Sequence, residues 1–209
     1  MAHIVLLGDS ILDNAAYVPG KSPVIEQLRS VLPANWKASL LAADGDVTED
    51  VLTQITQLPS DASHLVVSCG GNDALRKLYV LIEGVMTIGE AMDRFARILA
   101  EFRSSYQKML AALIKTGCNV TACTIYDRIP GLEANRQTAL ALFNEVILRE
   151  AIGSGINLID LRHICSEASD YSDISAIEPS EQGGNKIVTA ISHLLIDGSS
   201  SNDFVHVCK

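Results

Sequence analysis

Positive charge is scarce in this sequence. Lys and Arg total 16 among 209 residues against 25 Asp and Glu, which leaves a net charge of −9. A surface that acidic repels both the phosphate backbone of nucleic acids and the anionic face of a membrane. The composition therefore argues against nucleic acids and membrane surfaces as partners.

Long apolar runs and a disulfide pattern are absent as well. No window holds the roughly 18 consecutive apolar residues that cross a bilayer, which argues against a membrane span. The chain runs from Met1 straight into a strand-like segment, with no signal-peptide pattern. The five cysteines are an odd number and include no Cys-x-x-Cys pair. Unpaired cysteines are typical of a reducing compartment, so we expect a cytoplasmic protein.

The rest of the composition is that of an ordinary globular protein, with 48% hydrophobic and 20% charged residues. This length suits one domain, and we expect residues 1–209 to form it. After about residue 197 the sequence is rich in Gly, Ser and Asn, which predicts a flexible tail. Whether the Phe204-Val-His-Val segment within that tail docks back on the domain stays open.

Strands alternate with helices along the chain. Short, continuous, β-branched runs predict strands buried on both faces, and the segments between them have the apolar period of amphipathic helices. Ser22 and Pro23 predict the cap and the first residue of the first helix. The order predicts an α/β fold, a three-layer α/β/α sandwich around a parallel sheet. The predicted strands are residues 3–7, 37–42, 64–69, 119–125 and 156–161, and the predicted helices are residues 22–32, 48–58, 88–115, 133–152 and 180–195.

Small polar motifs follow the first three predicted strands. Gly8-Asp9-Ser10 follows the first, Asp44-Gly45-Asp46 the second, and Gly70-Gly71-Asn72-Asp73 the third. In an open parallel sheet, ligands bind beyond the carboxyl ends of the strands. We therefore expect these three motifs to meet at one edge of the sheet.

Together the three motifs suit acyl transfer. Ser10 becomes a nucleophile if a base takes its proton. Gly45 lets a backbone N–H approach a substrate oxygen, and Asn72 offers a side-chain amide donor. With the Ser10 N–H, these donors would form an oxyanion hole. Taken singly, Gly-Asp-Ser is a common turn and Gly-Asn-Asp a common helix cap, so the prediction depends on their occurring together.

In order and spacing, Gly8-Asp9-Ser10, Gly45 and Gly71-Asn72-Asp73 resemble the first three conserved blocks of the SGNH (GDSL-type) serine hydrolases. The resemblance implies a flavodoxin-like fold with a five-stranded parallel sheet. It also implies hydrolysis of esters or acyl groups, as in esterases and lipases, without a metal or other cofactor. Ser10 would be the nucleophile, with its own N–H, the Gly45 N–H and the Asn72 side chain as the oxyanion hole.

The fourth block departs from the family pattern. Family members carry Asp-x-x-His before the final helix, with His as the base and Asp orienting it. Here Glu178 stands at the histidine position and Ser175 at the aspartate position, just before Pro179. The usual catalytic Asp-x-x-His is therefore replaced, which puts the activity in doubt.

Three interpretations of this replacement stay open. Glu178 itself can be the base, although a carboxylate is a weak base at neutral pH unless burial raises its pKa. His163 can take the role, since it follows the fifth predicted strand within another Asp-x-x-His, Asp160 to His163. Alternatively, hydrolysis is impaired and the pocket only binds an acyl group or carboxylate. In such a pocket, a cationic or hydroxyl-rich ligand could bind the carboxylates of Asp9, Asp13, Asp73 and Glu178. A metal is disfavoured, because the sequence shows no metal-ligand spacing.

The remaining predictions concern the substrate. Asp9, Asp73 and Tyr126 are expected to line its site, since all three follow predicted strands. Residues 75–89 form either an apolar lid or acyl pocket, or an ordinary helix or dimer patch. The leading hypothesis is a serine hydrolase acting on a small ester or acyl-bearing molecule, and the alternative is a catalytically impaired binding protein for an acyl or carboxylate ligand.

Overall fold

The computed structural model describes residues 2–197 and 204–205. Its sheet has the strand order β2-β1-β3-β4-β5-β6, and neighbours among the first five strands are parallel. The predicted five-stranded parallel sheet is thereby confirmed, in the flavodoxin-like order 2-1-3-4-5. The five strands are β1 (Ala2–Gly8), β2 (Trp36–Leu40), β3 (His64–Ser68), β4 (Asn119–Cys123) and β5 (Asn157–Ile159).

A sixth strand closes one edge of the sheet. This strand, β6 (Phe204–Val205), pairs antiparallel with β5. The question left open for the chain end is answered for these two residues, which dock on the sheet. The rest of the tail predicted to be flexible lies outside the described residues.

Helices cover both faces of the sheet. The long helices match their predicted positions closely, because their apolar period is unbroken over several turns. No helix in residues 2–197 is both long and apolar enough to cross a membrane. The helices of the described chain are α1 (Val24–Val31), α2 (Val51–Ile55), α3 (Gly71–Leu75), α4 (Ile88–Lys115), α5 (Ala134–Ser154), α6 (Leu161–Ile164) and α7 (Glu181–Ser192).

The core is divided by the sheet into two apolar clusters. Successive residues of a strand point to opposite faces. Ile4 and Leu6 of β1 therefore pack with α1 and α7 on one face. Val5 and Leu7 pack with α4 and α5 on the other. This division produces the predicted three-layer sandwich.

The start of α1 differs from its prediction. Pro23 precedes the helix in an extended conformation, and Ser22 does not cap it. The cap is supplied from elsewhere in the chain: the Asn14 side-chain oxygen accepts a hydrogen bond of 2.9 Å from the Val24 N–H. A buried side chain distant in sequence thus replaces the local cap.

Two other predicted helices are shorter than expected. The helix predicted over residues 48–58 is reduced to the five residues of α2. The final helix ends at Ser192 and continues as a π-helical turn, His193–Asp197. At α2 the apolar period extends beyond the helix because it also marks Leu58, which packs against the core from the following loop. At α7 the predicted helix continues with π-type hydrogen bonds.

Candidate active site

Ser10 lies in the turn that follows β1. The backbone of Gly8, the last residue of β1, has a φ of +116°, and a Cβ atom there would lie 1.8 Å from the Ser68 carbonyl oxygen. Glycine is therefore required at this position. The Asp9 N–H donates to that same Ser68 oxygen at 3.1 Å, which fixes the turn against β3. Ser10 itself is only 5% exposed.

The Ser10 hydroxyl lies near the carboxyl group of Glu178, close enough to lower its pKa through a side-chain hydrogen-bond interaction, and both residues line the same pocket. Glu178 belongs to the loop before α7 and is 4% exposed. Its second side-chain oxygen, Oε2, is buried and has no hydrogen-bond partner within the described residues. The carboxyl group thus lies beside the serine, with its Oε2 atom buried and unpaired among the described residues.

Three hydrogen bonds hold the loop that carries Glu178. Two are made by the Glu178 backbone, and the third fixes the residue before it. They run from the Glu178 N–H to the Ser175 carbonyl oxygen (3.0 Å), from the Ser172 N–H to the Glu178 carbonyl oxygen (2.8 Å), and from the Tyr126 hydroxyl to the Ile177 carbonyl oxygen (2.6 Å). Ser175, at the family's aspartate position, contributes its backbone to Glu178 and not a carboxylate.

Burial raises the pKa of Glu178 to about 7. The hydrogen bond from Ser10 lowers it in part, and the negative charge of Asp44 raises it further. A carboxyl group with a pKa near neutrality is a much stronger base than an exposed glutamate. The environment of Glu178 therefore removes the main chemical objection to a glutamate as base.

Asn72 lines the same pocket as this pair and bonds the turn around Gly45, whereas Gly45 itself is not among the lining residues. The Asn72 side-chain amide donates to the Asp46 carbonyl oxygen at 2.9 Å, which leaves its second amide hydrogen available. Gly45 adopts a φ of +85°, which favours glycine. Among the described residues, neither the Ser10 N–H nor the Gly45 N–H has a protein acceptor. Two backbone donors and one amide hydrogen are therefore free to bind a ligand oxygen.

Asp9 is a second buried carboxyl group at this site. It is 2% exposed. Burial raises its pKa to about 8, the hydrogen bond from the Ile11 N–H lowers it in part, and the charges of Glu178 and Asp73 raise it further. Asp9 therefore holds its proton at neutral pH, which limits the negative charge beside Ser10.

An apolar pocket of about 130 Å³ opens above Ser10 and Glu178. Part of its wall comes from residues 75–81, so the segment predicted as a lid or an acyl pocket does line a pocket. The further part of the segment is exposed, with Ile82 at 88% and Met86 at 94%. The pocket lining includes Asp9, Ser10, Asn72, Leu75, Leu78, Leu81, Ile125, Tyr126, Ala139, Leu140, Phe143 and Glu178.

Residues 6–184 match the family model described as GDSL-like lipase/acylhydrolase. The chain belongs to this family. Curated protein sequences, by contrast, give no match to it. The resemblance drawn from Gly8-Asp9-Ser10, Gly45 and Asn72 is thereby confirmed at the level of the family.

Solved structures place this GDSL-like chain among lipases and esterases in fold. The extracellular lipase of Streptomyces rimosus has a TM-score of 0.67 and 18% identity, covering 92% of this chain and 99% of its own. A lipolytic G-D-S-L family member from Veillonella parvula has a TM-score of 0.70 and 16% identity, and the match covers 94% of this chain and 99% of its own. The esterase EstA from Pseudoalteromonas sp., in a structure inhibited by monoethylphosphonate, has a TM-score of 0.67 and 13% identity. The match covers 93% of this chain and 99% of its own. At these identities the likeness establishes the fold.

Not every predicted site residue of this GDSL-like protein meets at the pocket. Asp73 accepts hydrogen bonds of 3.0 Å from the N–H and the hydroxyl of Thr48, so it fixes a loop and does not line the pocket. Asp13 accepts a bond of 3.2 Å from the Asp44 N–H. In residues 2–197, no group of three His, Cys, Asp or Glu side chains is placed to hold a metal ion.

His163 lies in different surroundings from Ser10, since it is exposed whereas Ser10 is buried. It lies on α6 with 78% of its side chain exposed, and its Nε2 atom is 3.9 Å from an Asp160 carboxylate oxygen. That carboxylate is already paired with Arg162 and caps α6. The Asp160-to-His163 segment therefore forms a surface ion pair and a helix cap, and it does not line the pocket.

One residue beside the site is missing from the sequence predictions. Gln54 of α2 is 5% exposed, and its side chain bonds the backbone of Gly8 and the carboxylate of Asp46. Its position three residues after Val51 and four before Leu58 puts it on the apolar face of the predicted helix, so a polar residue at a buried position is the signal that the sequence offers. Only the contacts distant in sequence show that it lies between the Gly8-Asp9-Ser10 and Asp44-Gly45-Asp46 motifs.

Proposed function

We propose that this GDSL-like protein is a serine ester hydrolase in which Ser10 is the nucleophile and Glu178 the general base. The observation that carries the proposal is the placement of the Ser10 hydroxyl beside the buried Glu178 carboxyl group in the lining of one apolar pocket. A nucleophile and base within hydrogen-bond reach are the mark of covalent catalysis. The placement of His163 gives it no comparable support.

In the first half of the reaction, Ser10 Oγ attacks the ester carbonyl carbon while the Glu178 carboxylate takes the hydroxyl proton. The carbonyl π electrons move to the oxygen, which becomes an oxyanion held by the Ser10 N–H, the Gly45 N–H and the Asn72 amide. Collapse of this intermediate breaks the ester C–O bond, and Glu178 returns the proton to the departing alkoxide. The products are an alcohol and an acyl group covalently bound to Ser10.

In the second half, a water molecule attacks the acyl carbon and Glu178 takes one of its protons. The Glu178 carboxylate, which lost its proton to the departing alcohol, is again the acceptor beside the acyl group. When the second intermediate collapses, the proton passes to Ser10 Oγ and the carboxylic acid is released. A carboxyl group, having two equivalent oxygens, can thus serve both halves from one position.

The substrate proposed is an ester whose acyl part is apolar and short to medium in length. The pocket wall supports this choice, since it consists mainly of aliphatic and aromatic side chains, among them Leu78, Leu81 and Phe143. Its volume of about 130 Å³ lies below the roughly 300–1,000 Å³ of pockets that take drug-sized ligands. We further propose a reducing, cytoplasmic compartment, consistent with the free state of the four described cysteines.

A second candidate is a binding protein in which hydrolysis is impaired. One observation favours it: among the described residues, no partner orients the second oxygen of Glu178, whereas the family pattern has an aspartate that orients the base. Such a protein would hold an acyl or carboxylate ligand on the donors of Gly45 and Asn72. It would bind without turnover.

Fluorophosphonate labelling and hydrolysis of p-nitrophenyl butyrate separate these candidates. The hydrolase predicts labelling at Ser10, and loss of both labelling and turnover in Ser10→Ala. Ser39→Ala is the matched control, because the Ser39 hydroxyl forms a side-chain hydrogen bond of 2.8 Å with His3 but does not line the pocket. Turnover that survives Ser10→Ala rules out Ser10 as nucleophile. Stabilisation by butyrate without turnover or labelling supports the binding protein.

A further inference from the structure

Gln54 occupies a buried position between two of the catalytic motifs. Its Oε1 atom accepts a hydrogen bond of 2.8 Å from the Gly8 N–H. Its Nε2 atom donates to the Gly8 carbonyl oxygen at 2.8 Å and to an Asp46 carboxylate oxygen at 2.7 Å. Both amide hydrogens and one lone pair are therefore engaged.

These bonds occur where β1 extends beyond its neighbour. The last β1–β2 register pair is Leu6 with Leu40, after which β2 has ended. Gly8 lies two residues further along β1, so its N–H has no strand partner on that side. The Gln54 side chain satisfies it, and a buried donor of this kind is costly to leave unpaired.

The same side chain bonds the two segments that carry the proposed backbone oxyanion donors. Gly8 lies two residues before Ser10, and Asp46 is the residue after Gly45. The Asp46 carbonyl oxygen in turn accepts the hydrogen bond from the Asn72 amide. Gln54 thus links the Ser10 turn to the Gly45 turn through side-chain bonds, beside the backbone bond from the Ala43 N–H to the Gly8 carbonyl oxygen at 3.0 Å and the bond from the Asp44 N–H to Asp13 at 3.2 Å.

We propose that Gln54 is a positioning residue that fixes the Ser10 and Gly45 N–H groups relative to each other. The inference rests on the function proposed above, since it assigns those two groups to the oxyanion hole. Transition-state stabilisation depends steeply on geometry, and a displacement of about 1 Å can cost on the order of 10² in rate. Gln54 therefore affects turnover, although it contacts no substrate.

An equivalent contact elsewhere in the fold provides a control. Asn144 of α5 is also buried, and it brackets Ile125 after β4 in the same manner, with bonds of 2.8 Å to its N–H and its carbonyl oxygen. The bracketed residue there carries no oxyanion donor. Loss of this bracket should reduce stability and alter substrate binding at most, because Ile125 lines the pocket.

The test compares Gln54→Glu with Asn144→Asp, since both replace an amide donor by a carboxylate. For p-nitrophenyl butyrate we expect Gln54→Glu to lower kcat by about 10- to 100-fold with little change in KM. We expect Asn144→Asp to keep kcat within about 2-fold while lowering the thermal midpoint. Equal effects of the two variants on kcat, or an unchanged kcat in Gln54→Glu, overturn the inference.

A second variant shows that the effect belongs to the hydrogen bonds themselves. In Gln54→Glu combined with Asp46→Asn, the donor and acceptor at this contact are exchanged, so the bond to residue 46 is restored and the carboxylate repulsion is removed. We expect kcat to recover by about 3- to 10-fold relative to Gln54→Glu alone. If kcat does not recover in the double variant, the inference is contradicted.

Affinity for n-butylboronic acid provides a readout that does not require turnover. This acid forms a tetrahedral adduct with a serine hydroxyl, here that of Ser10, and an oxygen of the adduct would bind the same N–H donors as the oxyanion. We expect Gln54→Glu to weaken its binding by about 10- to 100-fold and Asn144→Asp to weaken it much less. If the unaltered protein shows no Ser10-dependent turnover, the hydrolase proposal fails, and the two boronate affinities decide the inference. If Gln54→Glu does not fold, the same comparison is made with Gln54→Met, which keeps the side-chain volume.

Discussion

The Tyr126 hydroxyl donates a hydrogen bond of 2.6 Å to the carbonyl oxygen of Ile177, the residue that precedes Glu178. Tyr126 follows β4, whereas Ile177 lies in the loop before α7, so the bond links two separate parts of the site. The Tyr126 ring packs edge-on against Tyr171 at a centroid distance of 5.1 Å, which holds the ring in place. Tyr126 thereby supports the position of the proposed base.

We expect Tyr126→Phe to lower kcat/KM for p-nitrophenyl butyrate by about 3- to 10-fold, because a hydrogen bond worth roughly 1 kcal/mol no longer fixes the Glu178 loop. Steady-state kinetics measure the effect. Tyr171→Phe is the matched control: its hydroxyl bonds the Cys165 carbonyl oxygen at 2.8 Å, away from Glu178. Equal losses in the two variants would show that the Tyr126 bond contributes to stability alone.

The identity of the base is tested by the pH dependence of turnover. Because burial raises the pKa of Glu178 to about 7, kcat/KM should rise with pH and level off above about pH 7. Glu178→Gln should lower the rate by about 10²- to 10⁴-fold and remove this rise, since the amide takes up no proton. His163→Ala should leave both rate and profile unchanged. A rise that persists in Glu178→Gln and disappears in His163→Ala would transfer the role to the histidine.

The residues that meet at the carboxyl edge of the sheet are predictable from the sequence because they follow parallel strands. Ser10, Asn72 and Tyr126 are of this kind, and the strand order is enough to bring them to one edge of the sheet. Glu178 is predictable for another reason, the resemblance to a family whose histidine occupies that position. Its raised pKa is not predictable, since burial of a loop residue depends on the packing of the whole site.

The residues that support the site are harder to predict. Asp73 follows a strand as Asn72 does, yet its side chain turns to Thr48, because an adjacent loop supplies two donors at 3.0 Å. Gln54 and Asn14 become important through contacts distant in sequence: Gln54 bonds Gly8, 46 positions away, and Asn14 bonds Val24, 10 positions away. Contacts of this kind depend on tertiary packing and leave no local pattern in the sequence.

The raised pKa of Glu178 also predicts how stability changes with pH. The pKa is about 7 in the folded protein and ordinarily 4.5, so the folded state holds this proton more tightly than the unfolded chain. As the pH rises from about 4.5 to above 7, the unfolded chain loses the proton first, and the free energy of unfolding falls. Replacing the ionisable group should remove this part of the fall.

Accordingly, Glu178→Gln should be more stable than the unaltered protein at pH 8 by about 1–3 kcal/mol and nearly equal to it at pH 4. Urea denaturation at the two pH values measures the difference. Glu133→Gln, at an exposed position paired with Arg136, should change stability by less than about 0.5 kcal/mol at either pH. If Glu178→Gln is destabilising at pH 8, the proton is not held as the burial of this carboxyl group implies.

The apolar pocket predicts a preference for acyl length that a single substitution should change. Ala139 of α5 lines the pocket, so Ala139→Phe should fill space that the acyl chain would occupy. We expect kcat/KM for p-nitrophenyl hexanoate to fall by at least about 10-fold, because each methylene group excluded from an apolar pocket costs roughly 1–3 kcal/mol. The kcat/KM for p-nitrophenyl acetate should stay within about 3-fold. Ala141→Phe, two residues along the same helix and exposed, is the matched control. A parallel loss on both esters in Ala139→Phe, or the same hexanoate loss in Ala141→Phe, would mean that the acyl chain binds elsewhere.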